Sequence, residues 1–581
     1  MKHLFIKYNK DSFILLLALA LIVTLYAFLA CSLPSELGNK TAGDAYYNLL
    51  IKGFAKGHLY LDQPIPEGLL ALKDPYDPAL NGTYQGVNYQ TTPPRLHDLS
   101  LYRGKLYLYF GVVPAVILFL PFHAVTGIYL SHAQAVTIFA TLTLLSDVWL
   151  LYLIRRKYFP NSSSYILLLG ALALGLGNAM PIILVRSDVW EIPITCGAMC
   201  IVLAIISSFY ALEASVDSRL EIILSSTAFG LAIGSRPNLI LCSLALIIPF
   251  TAYRRRTDGK IFSYLIYALA PLFCIIGLLL TYNYVRFDNS LEFGQHYQLA
   301  GDRQDNTHFN LSYFWYNFNA YFLSVPQFLD KTYFFSLWHL PSLPVSHAIA
   351  ENYASLLVSM PFTCTGLLLP VVIWYKRDVS FANFVTTLLI VCCCTALPTL
   401  FFYGTCLRYE GDFSPYITLA ASIAALGIDC ILIKQSIARI SATLGMSLLL
   451  FVSIYSNLVS AVRWHTQIDF VLGQSLVSQE KYAEAKVRFD EALRLNPAIE
   501  NAFFDNSYGV CLFGVGAFKA AELQFTKALM LDPKQLTIYI NLAHVLIKQG
   551  EIEATRRLLH KALQIDPVFI PAKNLLQSLG G

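Results

Sequence analysis

Runs of about 20 apolar residues recur from the N-terminus to about residue 460, and shorter polar segments separate them. A run of that length can cross the hydrocarbon core of a bilayer as one α-helix. The pattern predicts about eleven spans, near residues 12–33, 132–154, 164–185, 192–212, 220–236, 238–252, 261–284, 354–374, 380–402, 415–434 and 440–461. We therefore predict an all-α fold, with a polytopic bundle of transmembrane helices.

After about Thr466 the apolar content falls and the residues repeat with a period of about 34. Each unit has a small or polar residue, a large apolar residue, an alanine and a proline at matched positions. These are Ala485, Phe489, Ala492 and Pro497, then Ala521, Phe525, Ala528 and Pro533, then Thr555, Leu559, Ala562 and Pro567. Small residues let two antiparallel helices touch, and the proline ends the second helix.

These units resemble tetratricopeptide repeats (TPR). The resemblance implies an α-solenoid whose groove binds a protein or peptide partner. We predict repeats at about 466–499, 502–535 and 536–569, followed by a closing helix from Pro571 to Leu579. The chain then has two domains, a transmembrane domain over 1–462 and a TPR domain over 466–581.

Basic residues in short loops predict the orientation of the spans, since such residues favour the cytoplasmic side. All the clusters can be cytoplasmic together if the stretch from Leu106 to Gly127 does not cross. That stretch contains two prolines and several tyrosines, and we expect it to lie on the outer surface. The prediction places the N-terminus in the cytoplasm, two large loops (34–131 and 285–353) outside, and the C-terminal tail outside.

Composition supports this class of protein. Of the 581 residues, 56% are hydrophobic and 13% are charged, which is too little charge to coat a water-soluble domain. The net charge of +4 is spread along the chain without a basic stripe, so nucleic-acid binding is not expected. The twelve cysteines contain no C-x-x-C pair, so we expect neither a disulfide framework nor a thiolate metal site.

Three arginines are expected on the outer side, against the usual preference of basic residues: Arg236, Arg286 and Arg408. A guanidinium group can grip a phosphate with two hydrogen bonds. Each arginine alone can equally be part of a structural ion pair. Together they predict a site for a lipid phosphate at the membrane surface.

Acidic residues near span ends are further candidates, because charge close to a bilayer is costly. Asp44 lies shortly after the first span, where it can be a functional acid or the N-cap of an amphipathic helix. Asp188 and Glu191 flank Trp190 between two apolar runs, where a functional and a structural role are equally open.

The first 461 residues resemble the GT-C superfamily, membrane glycosyltransferases that use polyprenyl-phosphate-linked sugars. The resemblance rests on a first span followed by a long outer loop that opens with Gly43-Asp-Ala-Tyr-Tyr, and on segments 286–297 and 408–415. The plan with C-terminal repeats is similar to the TPR-bearing protein O-mannosyltransferases. The acidic pair followed by His-Pro-Pro of that group is absent, so the sugar and the acceptor stay open.

The resemblance implies a site for each substrate. Asp44 would be the general base that deprotonates the acceptor hydroxyl, and Arg236, Arg286 and Arg408 would bind the donor phosphate. Asp188 and Glu191 could orient the sugar or hold a divalent cation such as Mg²⁺ or Mn²⁺. His296 and Tyr297 could line the pocket for the acceptor.

We thus expect an inverting glycosyltransferase in a bacterial inner membrane, with its TPR tail in the periplasm and membrane lipids around its spans. Two alternatives stay open. One is a non-catalytic membrane scaffold that assembles a complex through the TPR groove. The other is an enzyme like the O-antigen ligases or polymerases, which are also polytopic and have large outer loops.

Overall fold

The computed structural model describes residues 10–33, 41–81, 98–214, 217–257, 261–301, 308–324, 327–328, 335–336, 343–344, 347, 349–350 and 355–580. The described residues form two compact units, one ending at Ala461 and the other beginning at Val462. Both are helical, and three short two-stranded sheets are the only sheets among the described residues. The predicted all-α class, with an apolar bundle and C-terminal helical repeats, is confirmed.

Eight helices of the described chain are long and apolar enough to cross a membrane. They are Phe13–Cys31, His132–Tyr158, Ser164–Arg186, Glu191–Glu213, Leu265–Phe287, Val379–Phe401, Ser414–Ile431 and Ser436–Ser478. The other three segments predicted to cross are shorter or irregular. Arg219–Ser235 has 17 residues, whereas Pro237–Leu246 and Pro361–Leu368 are 3₁₀-helices that continue into short α-helices. Each of these 3₁₀-helices begins at a proline, which has no N–H to donate to the preceding turn.

The first unit has further short elements between these helices. The α-helices are Tyr46–Ala55, Glu67–Leu70, Leu120–Thr126, Ile247–Thr257, Phe314–Phe318, Leu356–Ser359 and Leu369–Lys376. The other short helices are Ala42–Asp44, Ala115–Phe119, Leu311–Tyr313, Asn319–Leu323 and Leu407–Asp412. The strands outside the hairpin described next are Gln327–Phe328, Phe335–Ser336, Ile349–Ala350 and Gly404–Thr405.

The strands Leu99–Tyr102 and Lys105–Leu108 form an antiparallel hairpin. Its two-residue turn, Arg103 and Gly104, has positive φ at both positions, as a tight hairpin turn requires. The first strand also bonds to a later segment, because the Leu101 amide donates to the Tyr297 carbonyl at 2.8 Å. The hairpin thus fixes a distant part of the chain next to residue 98.

The second unit continues from the end of the helix Ser436–Ser478 as paired helices. They are Tyr482–Leu495, Ala502–Gly514, Phe518–Leu531, Leu536–Gln549, Ile552–Ile565 and Ile570–Ser578. The motif residues of the repeats are buried as the repeat pattern predicts. Phe489, Phe525 and Leu559 are at most 1% exposed, and so are the small residues around them.

Gly509 shows why the repeats need a small residue at one position. A Cβ atom added there would lie 2.7 Å from the ring of Phe525, closer than carbon atoms can approach. The missing side chain therefore lets the aromatic ring of the second helix rest on the backbone of the first.

Asp505 is a buried acid in the second unit, and neither carboxylate oxygen has a hydrogen-bond donor among the described residues. Burial raises its pKa from 3.8 to about 6; the Glu500 carboxylate adds to the rise and the Lys527 ammonium opposes it. The folded state thus holds the proton more tightly than the unfolded chain. The free energy of unfolding therefore rises as the pH falls through about 6, and the gain is complete below the unfolded pKa near 4.

We expect the C-terminal unit to be more stable at pH 5 than at pH 7 by about 1 kcal/mol. Urea unfolding of a fragment from Val462 onward, followed by circular dichroism, measures this difference. Asp505→Asn should abolish it, whereas Glu484→Gln, at an exposed acid of the neighbouring repeat, should preserve it. Equal pH dependence in the Asp505 variant would contradict the assignment.

Candidate functional site

The first unit contains a cavity of about 670 Å³, a size that suits a small-molecule ligand. It lies where several apolar helices end. Ser235 and Thr399 come from the last turns of two helices, and Pro193 comes from the first turn of a third. The cavity therefore lies at one end of the helix bundle and not in its middle.

Two of the three predicted phosphate-binding arginines, Arg236 and Arg408, line this cavity. Both pack against the ring of Tyr409, with guanidinium carbons 5.7 and 5.4 Å from the ring centre. They are far apart in sequence, so the fold brings them together. Two permanent positive charges thus border the cavity beside Tyr409, where an anionic ligand could contact them.

Arg236 is held by a buried carboxylate. Its Nη2 lies 2.9 Å from Oδ2 of Asp412, whose side chain is 2% exposed, and its Nε donates to Asn238 at 3.3 Å. Burial raises the pKa of the Asp412 carboxyl, while the Arg236 charge and the Asn238 hydrogen bond oppose the rise. The pair fixes the guanidinium group, which has five N–H donors and can contact a ligand as well.

Gly111 packs against the backbone directly before this arginine. A Cβ atom at Gly111 would lie 2.2 Å from the Ser235 carbonyl oxygen and 2.4 Å from that of Gly234. The Gly111 carbonyl accepts a hydrogen bond from the Tyr47 hydroxyl at 3.1 Å. Only glycine allows this close approach, which lies directly before Arg236 in the chain.

Trp190 contacts both cationic and acidic side chains at the cavity. Its ring packs against two guanidinium groups, at 4.4 Å for Arg186 and 5.8 Å for Arg408. Its indole N–H donates to Oδ2 of Asp98 at 2.6 Å, and Gln298 donates to Oδ1 of Asp98 at 2.7 Å. Asp98 itself lines the cavity and has a φ of 58°, which few residues other than glycine adopt.

His308 and Tyr109 also line the cavity. Burial and the nearby His296 lower the pKa of His308, so its imidazole is neutral at pH 7. Burial raises the pKa of the Tyr109 hydroxyl, which therefore keeps its proton. The cavity thus offers neutral donors and acceptors besides its charged groups.

Asp44 and Arg286, the other charged residues predicted for catalysis and phosphate binding, are not among the residues that line the cavity. The Asp44 side chain is exposed and accepts a hydrogen bond from Thr41 at 2.8 Å. It is not an N-cap, since Ala45 occupies that position. Arg286 is 5% exposed and donates to the Leu108 carbonyl and to Asn283, so it ties the hairpin to a helix.

Asp188 and Glu191 are not among the residues that line the cavity. Both are buried, Asp188 beside His132 at 3.2 Å and Glu191 beside Arg186 at 3.6 Å. Glu191 thus contacts the cavity wall only indirectly, because its partner Arg186 packs against the Trp190 ring. In the described part of the chain, no group of three or more His, Cys, Asp or Glu residues is placed to hold a metal ion.

The two residues predicted for an acceptor pocket are also outside the cavity lining. His296 is exposed and pairs with Glu292 at 2.6 Å. Tyr297 packs in an aromatic cluster. Its ring centre lies 4.5 Å from that of Tyr102 and 5.8 Å from that of Phe287. Their neighbours Gln295 and Gln298 line the cavity instead.

No site role was predicted for Asp98, His308 or Tyr109, which all line the cavity. Asp98 had one available signal, an acid directly before a short alternating strand with a tight Arg-Gly turn. Its two partners, Trp190 and Gln298, are 92 and 200 residues away in the chain. Only the folded chain reveals them.

Comparisons with known proteins identify the repeats. A family model for the tetratricopeptide repeat matches residues 512–579. Among solved structures, the Arabidopsis OM64 TPR domain is 20% identical, with coverage of 20% of this chain and 96% of that chain and a TM-score of 0.19. The chain therefore carries C-terminal TPR units, and no curated protein matches it.

Two larger structures are also similar. The archaeal oligosaccharyltransferase AglB from Archaeoglobus fulgidus, solved with an inhibitory peptide and a dolichol-phosphate, is 11% identical with a TM-score of 0.37. The match covers 81% of this chain and 59% of that chain. Yeast Tom70 is 11% identical with a TM-score of 0.19, and the match covers 74% of this chain and 95% of that chain.

Proposed function

We propose that the protein is a membrane glycosyltransferase that moves a sugar from a polyprenyl-phosphate donor to an acceptor hydroxyl, with inversion at the anomeric carbon. The observation that carries the proposal is that Arg236 and Arg408, both beside Tyr409, line a cavity at the end of an apolar helix bundle. The GT-C resemblance of the sequence points to the same chemistry.

The position of the cavity suits a lipid-linked phosphate. The polyprenyl chain can lie in the apolar region around the helices, while the charged phosphate lies at the helix ends beside the arginines. A volume of about 670 Å³ has room for a sugar and its phosphate. The exposed apolar side chains of Phe309 and Phe293 at the cavity give the donor or acceptor further contact area.

The arginines would act most strongly when the sugar leaves. The bond between the anomeric carbon and the phosphate oxygen breaks, and that oxygen takes both electrons. Guanidinium groups that are already in place stabilise this growing negative charge without reorganising. The acceptor oxygen forms its bond from the opposite face and loses its proton to a base in the cavity.

We further propose that the C-terminal repeats bind a protein partner, with the tail on the periplasmic side of a bacterial inner membrane. TPR units stack into grooves that hold extended or helical segments, which favours a peptide or protein ligand. The partner can be the acceptor itself or a protein that delivers it. The repeats also keep a non-catalytic scaffold as the second candidate function.

A transfer assay distinguishes the two functions. The full-length protein in lipid nanodiscs is incubated with polyprenyl-phosphate-linked sugars and a mixture of hydroxyl acceptors, and released polyprenyl phosphate is measured. Release that depends on the protein supports the enzyme. If no donor yields polyprenyl phosphate, while truncation after Val462 removes assembly of the protein complex, the scaffold is the better description.

A further inference from the structure

Two neutral amides, Gln295 and Gln298, line the cavity together with its charged residues. The Gln298 amide is oriented by Asp98, because its Nε2 donates to Oδ1 of that carboxylate at 2.7 Å. A carboxylate only accepts hydrogen bonds, so the nitrogen of the amide faces it and the Oε1 atom faces away. Gln298 is 7% exposed, yet Oε1 has no donor among the described residues and is not fully enclosed by protein. This oxygen can therefore accept a hydrogen bond from a ligand.

Gln295 adds a second amide to the cavity. It is half-buried, and within the part of the chain that the structure describes its side chain makes no hydrogen bond. A carboxamide has two N–H donors and an oxygen with two lone pairs. The two glutamines together therefore offer donors and acceptors to a ligand without adding charge to the cavity.

The segment 294–299, which carries both glutamines, is fixed to the hairpin. The Ser100 hydroxyl donates to the Gly294 carbonyl at 2.8 Å, and the Leu299 amide donates to the Leu99 carbonyl at 2.8 Å. Gly294 has a φ of 95°, and a Cβ atom there would lie 2.4 Å from the Ser100 hydroxyl oxygen. The close contact thus requires glycine. Side chains on such a fixed backbone bind a ligand at a low cost in conformational entropy.

A sugar is the part of the donor that suits these amides. Each sugar hydroxyl donates one hydrogen bond and accepts others, as a carboxamide does. A phosphate diester only accepts, so the amide oxygens would repel it, and a polyprenyl chain makes no hydrogen bonds. Phe110 and Phe293 line the same cavity, and aromatic side chains can cover the C–H faces of a sugar. A few polar groups among apolar ones are what gives a small-molecule site its specificity.

We propose that Gln295 and Gln298 select the sugar of the donor through hydrogen bonds to its hydroxyl groups, an inference that rests on the proposed glycosyl transfer. Gln298 accepts a hydrogen bond from one hydroxyl at Oε1, and Gln295 binds another. The substrate is then a sugar whose hydroxyls are free at the contacted positions. A donor that lacks one of them leaves an amide without its partner, and the protein uses it poorly.

Donors that differ by one hydroxyl test this inference. Full-length protein in nanodiscs is given a polyprenyl-phosphate-linked hexose or one of its monodeoxy analogues, and release of polyprenyl phosphate gives kcat/KM for each donor. Gln295→Leu should lower kcat/KM for the hexose by about five- to tenfold, the usual worth of a neutral hydrogen bond. With one deoxy analogue the same substitution should change kcat/KM by less than about twofold, because the hydroxyl that Gln295 contacts is already missing.

Gln298→Met, which keeps the length of the side chain, should show the same selective loss. Gln435→Leu, at an exposed glutamine outside the cavity lining, should behave as the unaltered protein. The inference is overturned if either cavity variant lowers kcat/KM equally for every donor, as a merely structural role would, or leaves kcat/KM for the hexose unchanged. An unaltered protein that releases polyprenyl phosphate from no donor would instead overturn the proposed function itself.

Discussion

Replacing Arg408 with glutamine is expected to lower the rate of sugar transfer by about 10²–10³-fold, because a preplaced charge beside the leaving phosphate is lost. Glutamine keeps part of the side-chain volume against Tyr409 and Trp190. Arg408→Lys should give an intermediate rate, since a lysine keeps the charge but not the two-pronged geometry. The measurement is release of polyprenyl phosphate by full-length protein in nanodiscs.

Loss of Arg236 would in addition leave the buried Asp412 carboxylate without its cation, so the effect of Arg236→Gln on the rate would combine two causes. The matched control is Arg103→Gln, at a side chain that is 71% exposed in the hairpin turn and pairs with Asp288. We expect this control to keep full activity. Equal rates for Arg408→Gln and Arg103→Gln would remove the phosphate role of Arg408.

Gly111→Ala is expected to disturb both the fold and the site. The new methyl group would lie 2.2 Å from the Ser235 carbonyl oxygen, so the backbone that leads into Arg236 must move. Overpacking of this kind costs about 1–3 kcal/mol. A displacement of about 1 Å at a group that positions the substrate can cost about 10²-fold in rate. Thermal unfolding and the transfer assay, both in nanodiscs, measure the two effects.

Gly277→Ala is the matched control, because an added Cβ atom at this helical glycine would meet nothing within 4 Å. Alanine is also the better helix former, so this variant should be as stable as the unaltered protein or more stable. If Gly111→Ala unfolds at the same temperature and keeps its rate, the close backbone contact does not position Arg236.

Local patterns in the sequence were sufficient to predict eight of the eleven long apolar helices and the repeats. The apolar runs predict the long helices because a span needs one continuous stretch of chain. The repeats follow from small residues such as Ala485 and Ala521 at fixed spacing from a buried aromatic residue. Each of these signals lies within one or two neighbouring helices.

The site could be predicted only in part. Arg236 and Arg408 were found because an arginine at an outer span end is unusual in its own right. Asp44 was predicted as the base from the family resemblance; its side chain is exposed and is not among the residues that line the cavity. No site role was predicted for Asp98, because its partners Trp190 and Gln298 come from distant parts of the chain. Long-range partners of this kind leave no spacing in the sequence.

The antiparallel hairpin connects cavity-lining residues at both of its ends. Asp98 directly precedes its first strand, and Tyr109 and Gly111 follow its second strand. Arg286 anchors the second strand through the Leu108 carbonyl. Any displacement of the hairpin would therefore shift Asp98, Tyr109 and the Gly111 contact with the Arg236 segment together.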